Sequence, residues 1–196
     1  KAEEKNFYNL LKKNIDKFDI IIVADYGHGI ITEKIRKLIL TRNNKIFLNT
    51  QINSFNRGYH TVFKYKKINT LVVNVSELRY ELRDKHSKIP ELAKILSKKI
   101  SVKNIIVTRG KEGSVLVSRK NNLALSCPAF DQNILDTVGA GDTFFAICSL
   151  AIGSKIDSKI SMMMGAISAG FAVDQIGNKL YYNFQTCKKH LTHIFK

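Results

Sequence analysis

Residues 136–142 read Asp-Thr-Val-Gly-Ala-Gly-Asp and run into the apolar stretch Thr143 to Ile152. Small residues at Gly139, Ala140 and Gly141 let backbone N–H groups converge on one spot ahead of the helix that the apolar spacing predicts from Thr143. The positive end of that helix adds to the spot, so the segment reads as an anion site, and a side chain at either glycine would hold a phosphate away. Asp142 would repel an anion that merely rests there. It makes sense as the group that takes a proton from an attacking hydroxyl, while the N–H cradle holds the charge developing on a transferred phosphoryl group. The plain alternative is an aspartate at a helix start after a glycine turn.

The elements that must position this segment follow from periodicity. Phe7, Leu10, Leu11 and Ile15 fall at helical spacing, so an amphipathic helix opens the chain. Phe18 to Ala24 is a continuous apolar run, a buried strand ending in the turn Asp25-Tyr26-Gly27-His28-Gly29. Thr32 caps a helix to about Leu40, with Glu33 in its first turn. Strands are expected at Lys45–Leu48, Leu71–Val73 and Val102–Thr108, with helices from Ser76 to about Leu82 and from Pro90 to about Lys99. Gly110 and Gly113 punctuate a turn into a strand at Ser114–Val117, which forms a hairpin with Leu123–Ser126. Beyond Gly139 the pattern is helical, at 143–152, 158–173 and 184–194. Alternating strands and helices with near-continuous apolar strands argue an α/β fold: a mostly parallel central sheet flanked by helices. The polar and aromatic stretch 49–67 is the least regular and is expected to be a loop near a site.

With 196 residues, 44% of them hydrophobic, the chain has enough material for one domain with a sizeable core, and the composition excludes a disordered chain or a disulfide scaffold. Cys127, Cys148 and Cys187 are far apart and odd in number, which suits free thiols in a reducing cytoplasm. The longest apolar runs fall well short of the ~20 residues of a membrane span, and the mixed-charge start Lys1-Ala2-Glu3-Glu4-Lys5 carries no signal-peptide pattern. The formal charge of +16 comes from lysines scattered along the whole chain. They read as solvated helix faces, so neither nucleic acid nor a membrane is expected as a partner, although the basic surface would favour phosphorylated small molecules.

The segment Asp136-Thr137-Val138-Gly139-Ala140-Gly141-Asp142-Thr143-Phe144 resembles the C-terminal signature of the ribokinase-like, PfkB-type carbohydrate kinases. Asn74-Val75-Ser76-Glu77 is similar to that family's N-x-x-E motif, and Thr108-Arg109-Gly110-Lys111-Glu112-Gly113 to its T-x-G-x-x-G nucleotide loop. Asp25-Tyr26-Gly27-His28-Gly29 looks like the D-Y-G-x-G of the branch that phosphorylates heptose phosphates, and 165–177 fits that branch's late helix, with Ala166 in place of its usual Asn. The resemblance implies a kinase using ATP and Mg2+ to phosphorylate a sugar or sugar phosphate. Asp142 would be the catalytic base, and Gly139, Ala140 and Gly141 the anion hole. Asp136 and the carbonyl of Val138 would lie where family members often hold a monovalent cation such as K+. Asn74 and Glu77 would act through magnesium-bound water and phosphate, where the residues alone also fit an N-cap pair opening a helix. Thr108, Gly110 and Gly113 would contact nucleotide phosphates, with Arg109 as a charge partner, where the loop alone also fits an ordinary hairpin turn.

The acceptor side is thinner. Asp25 would lie near the acceptor sugar, or serve only as a turn-former. His28 stands where the heptose kinases usually carry Lys, as a phosphate contact or a surface histidine. Asn49, Asn53, Asn56 and Arg57 suit hydroxyls and phosphates, but the family's usual D-P-K strand end is missing there. His60, His86, His190 and His193 form no metal spacing. The sequence has no Gly-Gly pair and no strand-rich segment before Phe18, so residues 1–196 are expected to be the C-terminal part of a single kinase domain, without its N-terminal portion and β lid. An exposed sheet edge would then favour a homo-oligomer or a place within a longer chain. Two readings follow: a carbohydrate kinase, poorly active as this chain alone, or a non-catalytic nucleotide- or sugar-binding module that keeps the kinase fold. The retained Asp142, Asn74 and Glu77 favour the first.

Overall fold

The computed structural model describes residues 2–41, 45–53, 55–120, 123–130 and 139–173, together with Gln185 and Thr192. The expectations for Asp136, Val138, Cys187, His190, His193 and the helix at 184–194 fall outside these, except at Gln185 and Thr192, both helical. The chain divides into two compact units, Lys1–Arg109 with Ser114–Ser126, and Gly110–Gly113 with Cys127–Lys196.

The first unit opens with helix α1 (Ala2–Asn14) and strand β1 (Ile20–Asp25), then α2 (Glu33–Leu40) and β2 (Lys45–Thr50). Strand β3 (Thr70–Asn74) runs straight into α3 (Val75–Leu82), followed by α4 (Ile89–Ile100), β4 (Asn104–Thr108), β5 (Ser114–Ser118) and β6 (Ala124–Cys127). The six strands form one sheet in the order β1-β2-β3-β4-β5-β6. Strands β1 to β4 pair in parallel and β5 returns antiparallel to β4, so the sheet is mostly parallel, as the apolar strand pattern predicts. Val23, Leu48, Leu71, Val73, Ile105 and Val107 from the strands bury against Ile35 and Ile39 of α2, Leu78 of α3, and Leu92 and Leu96 of α4. Each such side chain contributes about 1.5–3 kcal/mol of burial.

Local chemistry sets the helix starts. The Thr32 hydroxyl accepts the Ile35 N–H and donates to Glu4 Oε1 at 2.7 Å, which caps α2 and ties it to α1. Pro90 stands in the first turn of α4, where its missing N–H costs nothing. Two expectations need correction. Leu10 of α1 is 60% exposed, because the inward face is set by Phe7, Tyr8, Leu11 and Ile15, and Leu10 projects beyond that arc. Strand β1 is not buried along its length: Ile22 is 39% exposed, since among the described residues β1 ends the sheet, with β2 beside it.

In the second unit, helices α5 (Ala140–Gly153) and α6 (Ser158–Val173) pack together. Their contact depends on Gly165, where a β-carbon would come within 2.9 Å of Cys148 Cβ and 3.1 Å of the Phe144 carbonyl oxygen. Cys127 and Cys148 are free and buried, and burial, with the Cys127 charge adding to it, pushes the Cys148 thiol up to about 12.

Candidate functional site

The carboxyl ends of the parallel strands gather the first group of candidate residues. Asp25 pairs with Thr50 at the end of β1 and β2, and Asn74 pairs with Thr108 at the end of β3 and β4. Ligands of open parallel sheets bind beyond this edge, because the loops and helix starts that follow the strands collect there. The two family-like motifs at Asn74 and Thr108, 34 residues apart in sequence, thus begin side by side. The Thr108 hydroxyl donates to the Val73 carbonyl at 3.5 Å, and Arg109 is half-buried just beyond.

Asn74 and Glu77 form a reciprocal cap on α3. Asn74 Oδ1 accepts the Glu77 N–H at 2.8 Å, and Glu77 Oε2 accepts the Asn74 N–H at 2.9 Å. Glu77 Oε1 also accepts the Ile52 N–H at 3.3 Å, and the side chain is only 5% exposed. Both carboxylate oxygens are therefore engaged by backbone donors. Among the described residues no cluster of three His, Cys, Asp or Glu could hold a metal ion. This donor set suits magnesium only as an outer shell, since Mg2+ keeps most of its waters and takes phosphate oxygens as ligands.

The loop after β4 uses its two glycines differently. Gly110 has a φ of +57° and open space where a β-carbon would stand. Gly113 has a φ of +78°, and a β-carbon there would lie 2.0 Å from the Cys127 carbonyl oxygen. The first glycine leaves room for a ligand, and the second lets the 127–129 backbone pass.

At the glycine turn the helix begins earlier than its apolar spacing predicts. Gly139, with a φ of +83°, is the N-cap, and Ala140, Gly141 and Asp142 form the first turn of α5. The Thr143 N–H is the first to bond inside the helix, to the Gly139 carbonyl at 2.9 Å, so the N–H groups of Ala140, Gly141 and Asp142 before it have no partner within the helix. The Gly139 N–H, at the N-cap, also has no partner inside the helix, so Gly139, Ala140 and Gly141 stand together with Asp142 at this start. A β-carbon at Gly141 would meet nothing within 4 Å, and the Asp142 side chain is exposed, whereas Phe144 and Phe145 behind it are buried. The open face, the N–H groups and the carboxylate share one helix start.

The acceptor candidates separate. Asp25 is buried and built into the fold: its Oδ2 accepts the Tyr65 hydroxyl at 2.6 Å, its Oδ1 accepts the Gly27 N–H at 3.0 Å, and the His60 ring lies 3.9 Å away. Burial, then the hydrogen bond and charge of Asp25, raise the Tyr65 hydroxyl well above its ordinary value. Asn56 Nδ2 bonds the carbonyls of Tyr26 and Gln51, which holds 51–60 against the turn after β1. A β-carbon at Gly27 would press on Asn56 and His60 at 2.6 and 2.9 Å. Asn56 is thus a scaffold residue. His28 is exposed, and its ring stacks 6.5 Å from that of Tyr26. Tyr65 and His60, which hold Asp25 from behind, carry no local sequence signal of that role.

Comparisons with known proteins bear on this arrangement. The pfkB family carbohydrate kinase model matches residues 5–180. The chain is 28% identical to the Bifunctional protein HldE of Aliarcobacter butzleri over 178 residues, covering 89% of this chain and 36% of that protein. It is 25% identical to the Bifunctional protein HldE of Campylobacter curvus over 178 residues, 89% of this chain and 37% of the relative. It thus spans little more than a third of the length of these relatives. Among solved structures, the Arabidopsis thaliana ribokinase complexed with ribose and ATP matches with a TM-score of 0.69 and 19% identity, over 84% of this chain and 53% of that one. The Escherichia coli phosphofructokinase-2 in complex with potassium matches with a TM-score of 0.74 and 12% identity, over 96% and 62%. Those two show the fold, ribokinase-like, as the sheet and its helices imply. With the family model covering most of the chain, the conclusion is direct: this chain belongs to the pfkB family of carbohydrate kinases.

Proposed function

We propose that the chain is the C-terminal part of a single kinase domain that transfers the terminal phosphoryl group of ATP to a hydroxyl of a sugar or sugar phosphate, the acceptor being heptose-phosphate-like. The observation that carries this reading is the start of α5, where an exposed carboxylate at Asp142 shares a helix turn with N–H groups that have no partner inside the helix and with the open face of Gly141. Asp142 takes the proton of the acceptor hydroxyl as the oxygen attacks. The N–H groups of the first turn hold the charge that builds on the transferred phosphoryl oxygens. Thr108 and Gly110 lie along the nucleotide phosphates. Magnesium bound with the nucleotide would neutralise charge at the phosphates, and Asn74 and Glu77 would orient its waters. The HldE relatives support the heptose-phosphate branch, as does the D-Y-G-x-G turn at Asp25. A protein kept only for binding would not need the carboxylate.

The test is Asp142→Asn in the full-length protein, assayed with ATP, magnesium and a panel of sugar phosphates. Asparagine keeps the shape and the helix start but cannot take the proton. Turnover is expected to fall by ~10²–10⁴-fold. ADP affinity is expected to hold or rise, because a negative charge beside the phosphates is gone. Unchanged turnover removes Asp142 as the base and leaves the binding-module reading ahead.

A further inference from the structure

Helix α3 carries Ser76, Arg79, Tyr80 and Arg83 at i, i+3, i+4 and i+7, which places them on one face. That face lines a cavity of about 950 Å³, with residues of the 58–63 segment across from it and Lys85 at the end of the helix. The volume suits a small-molecule site, and every lining residue belongs to the first unit. Three lining side chains, those of Arg79, Arg83 and Lys85, are cationic. The one lining carboxylate, Glu81, is already committed: its Oε2 accepts the Thr61 hydroxyl at 2.6 Å and its Oε1 the Val62 N–H at 2.7 Å. The neighbouring Asp84 carboxylate accepts the Ser87 and His86 N–H groups and the Ser87 hydroxyl. Arg79 gives its Nη1 donor to the Asp84 carbonyl at 3.5 Å, one long bond from a group with five donors.

Arg83 caps α3 with φ 53° and ψ 39°, a left-handed position that glycine often fills. Ser101 caps α4 in the same conformation, so this backbone marks a helix end, and at Arg83 it lets the side chain be removed without disturbing the cap. The exposed ring of Tyr80 and the half-buried Phe63 give the cavity an apolar wall beside the charges.

We propose that this cavity is a binding site for a phosphorylated small molecule, held by Arg79, Arg83 and Lys85 and built from none of the residues of the glycine turn at Gly139–Asp142. A compact polyanion fits because the charge is gathered in a concavity and arginine forks match phosphate oxygens. The site stands whether or not Asp142 is a catalytic base, and its test reads binding rather than turnover.

The experiment is calorimetric titration of pyrophosphate into the wild-type chain, Arg83→Gly, the double variant Arg79→Gln/Lys85→Gln, and Gly141→Glu. Gly141→Glu puts a negative charge at the glycine turn in open space and leaves the cavity untouched. Binding is expected in the wild type and in Gly141→Glu, and at least about tenfold weaker in the other two, as loss of a charged hydrogen-bond partner implies. Arg83→Gly should melt no lower than the wild type, since glycine relieves the left-handed strain. Its loss of affinity therefore cannot come from unfolding. The proposal fails if millimolar pyrophosphate does not bind the wild type, or if Arg83→Gly and the double variant bind it equally well. It also fails if Gly141→Glu alone abolishes binding, which would assign the anion to the glycine turn.

Discussion

The Tyr65 hydroxyl donates a 2.6 Å hydrogen bond to Oδ2 of Asp25, a residue forty positions earlier in the chain, and both side chains are buried. Asp25 ends β1 at the carboxyl edge of the sheet, so its position there depends on a side chain from the irregular stretch before β3. Tyr65→Phe is expected to cost about 1.5–3 kcal/mol, the range for a hydrogen bond to a charged group. The sign of the pH effect is fixed as well. The Tyr65 hydroxyl is raised in the folded state, so the unfolded chain loses that proton first, from about pH 10 upward. Above that, the wild type should lose up to ~1.4 kcal/mol per pH unit more than Tyr65→Phe. Urea unfolding of both proteins between pH 8 and 11 checks this, and parallel curves would refute it.

The cap on α3 separates structural from catalytic work at Asn74. Serine caps a helix as well as asparagine, so Asn74→Ser should unfold within about 0.5 kcal/mol of the wild type. If the Asn74 amide orients magnesium-bound water, turnover of the full-length Asn74→Ser protein falls and responds to added magnesium. Glu77→Ala leaves the Asn74 and Ile52 N–H groups without the Glu77 oxygens and should cost about 1–3 kcal/mol. Wild-type rates for Asn74→Ser at every magnesium concentration would reduce the motif to a helix cap.

The two glycines of the 110–113 loop should respond in opposite ways. Gly113→Ala brings a β-carbon against the Cys127 carbonyl in a left-handed conformation, with an expected loss of roughly 2–5 kcal/mol. Gly110→Ala meets open space and carries only the left-handed penalty of about 1–2 kcal/mol. If the loop lies along nucleotide phosphates, Gly110→Ala also weakens ADP binding. Thermal melts with and without ADP read both effects, and a Gly110→Ala protein with unchanged ADP affinity would take Gly110 out of the site.

Alanine normally favours a helix over glycine by about 1 kcal/mol, yet Gly165→Ala should destabilise this protein by roughly 1–3 kcal/mol. The new methyl would press on Cys148 Cβ and the Phe144 carbonyl between α5 and α6. Cys148 itself gives the readout. Its buried thiol, raised to about 12, should resist alkylation at pH 8 in the wild type and react faster in Gly165→Ala. Equal labelling rates would show that the helices part easily enough to take the methyl.

Much of the framework was legible from local pattern. The apolar runs located the strands within a few residues, and Thr32, Asn74 and Pro90 marked helix starts because each acts on neighbours within three positions. Helix α5 starts three residues ahead of its apolar spacing, because Ala140 and Gly141 lack the apolar signal of a helix face and the left-handed Gly139 that sets the start is a backbone property. The supports of Asp25 could not be read at all. Tyr65, His60 and Gly27 reach it from 40, 35 and 2 positions away, and only the folded chain brings the first two there. The cationic face of α3 lay open in the spacing of residues 76, 79, 80 and 83, but its cavity needed the 58–63 segment opposite.

The sheet also bears on how the chain folds. Its spatial order repeats the order of synthesis, so each strand meets its partner as the next strand to emerge. Contacts stay short in sequence and the loop-closure entropy of each step stays modest, which favours rapid assembly for an α/β topology. On the ribosome, β1 and β2 can pair around α2 before β3 exists, and each new strand docks on the edge its predecessor has just made. The described strands can therefore add one at a time, each to the edge its predecessor has just made, so that edge never waits for a distant segment of chain.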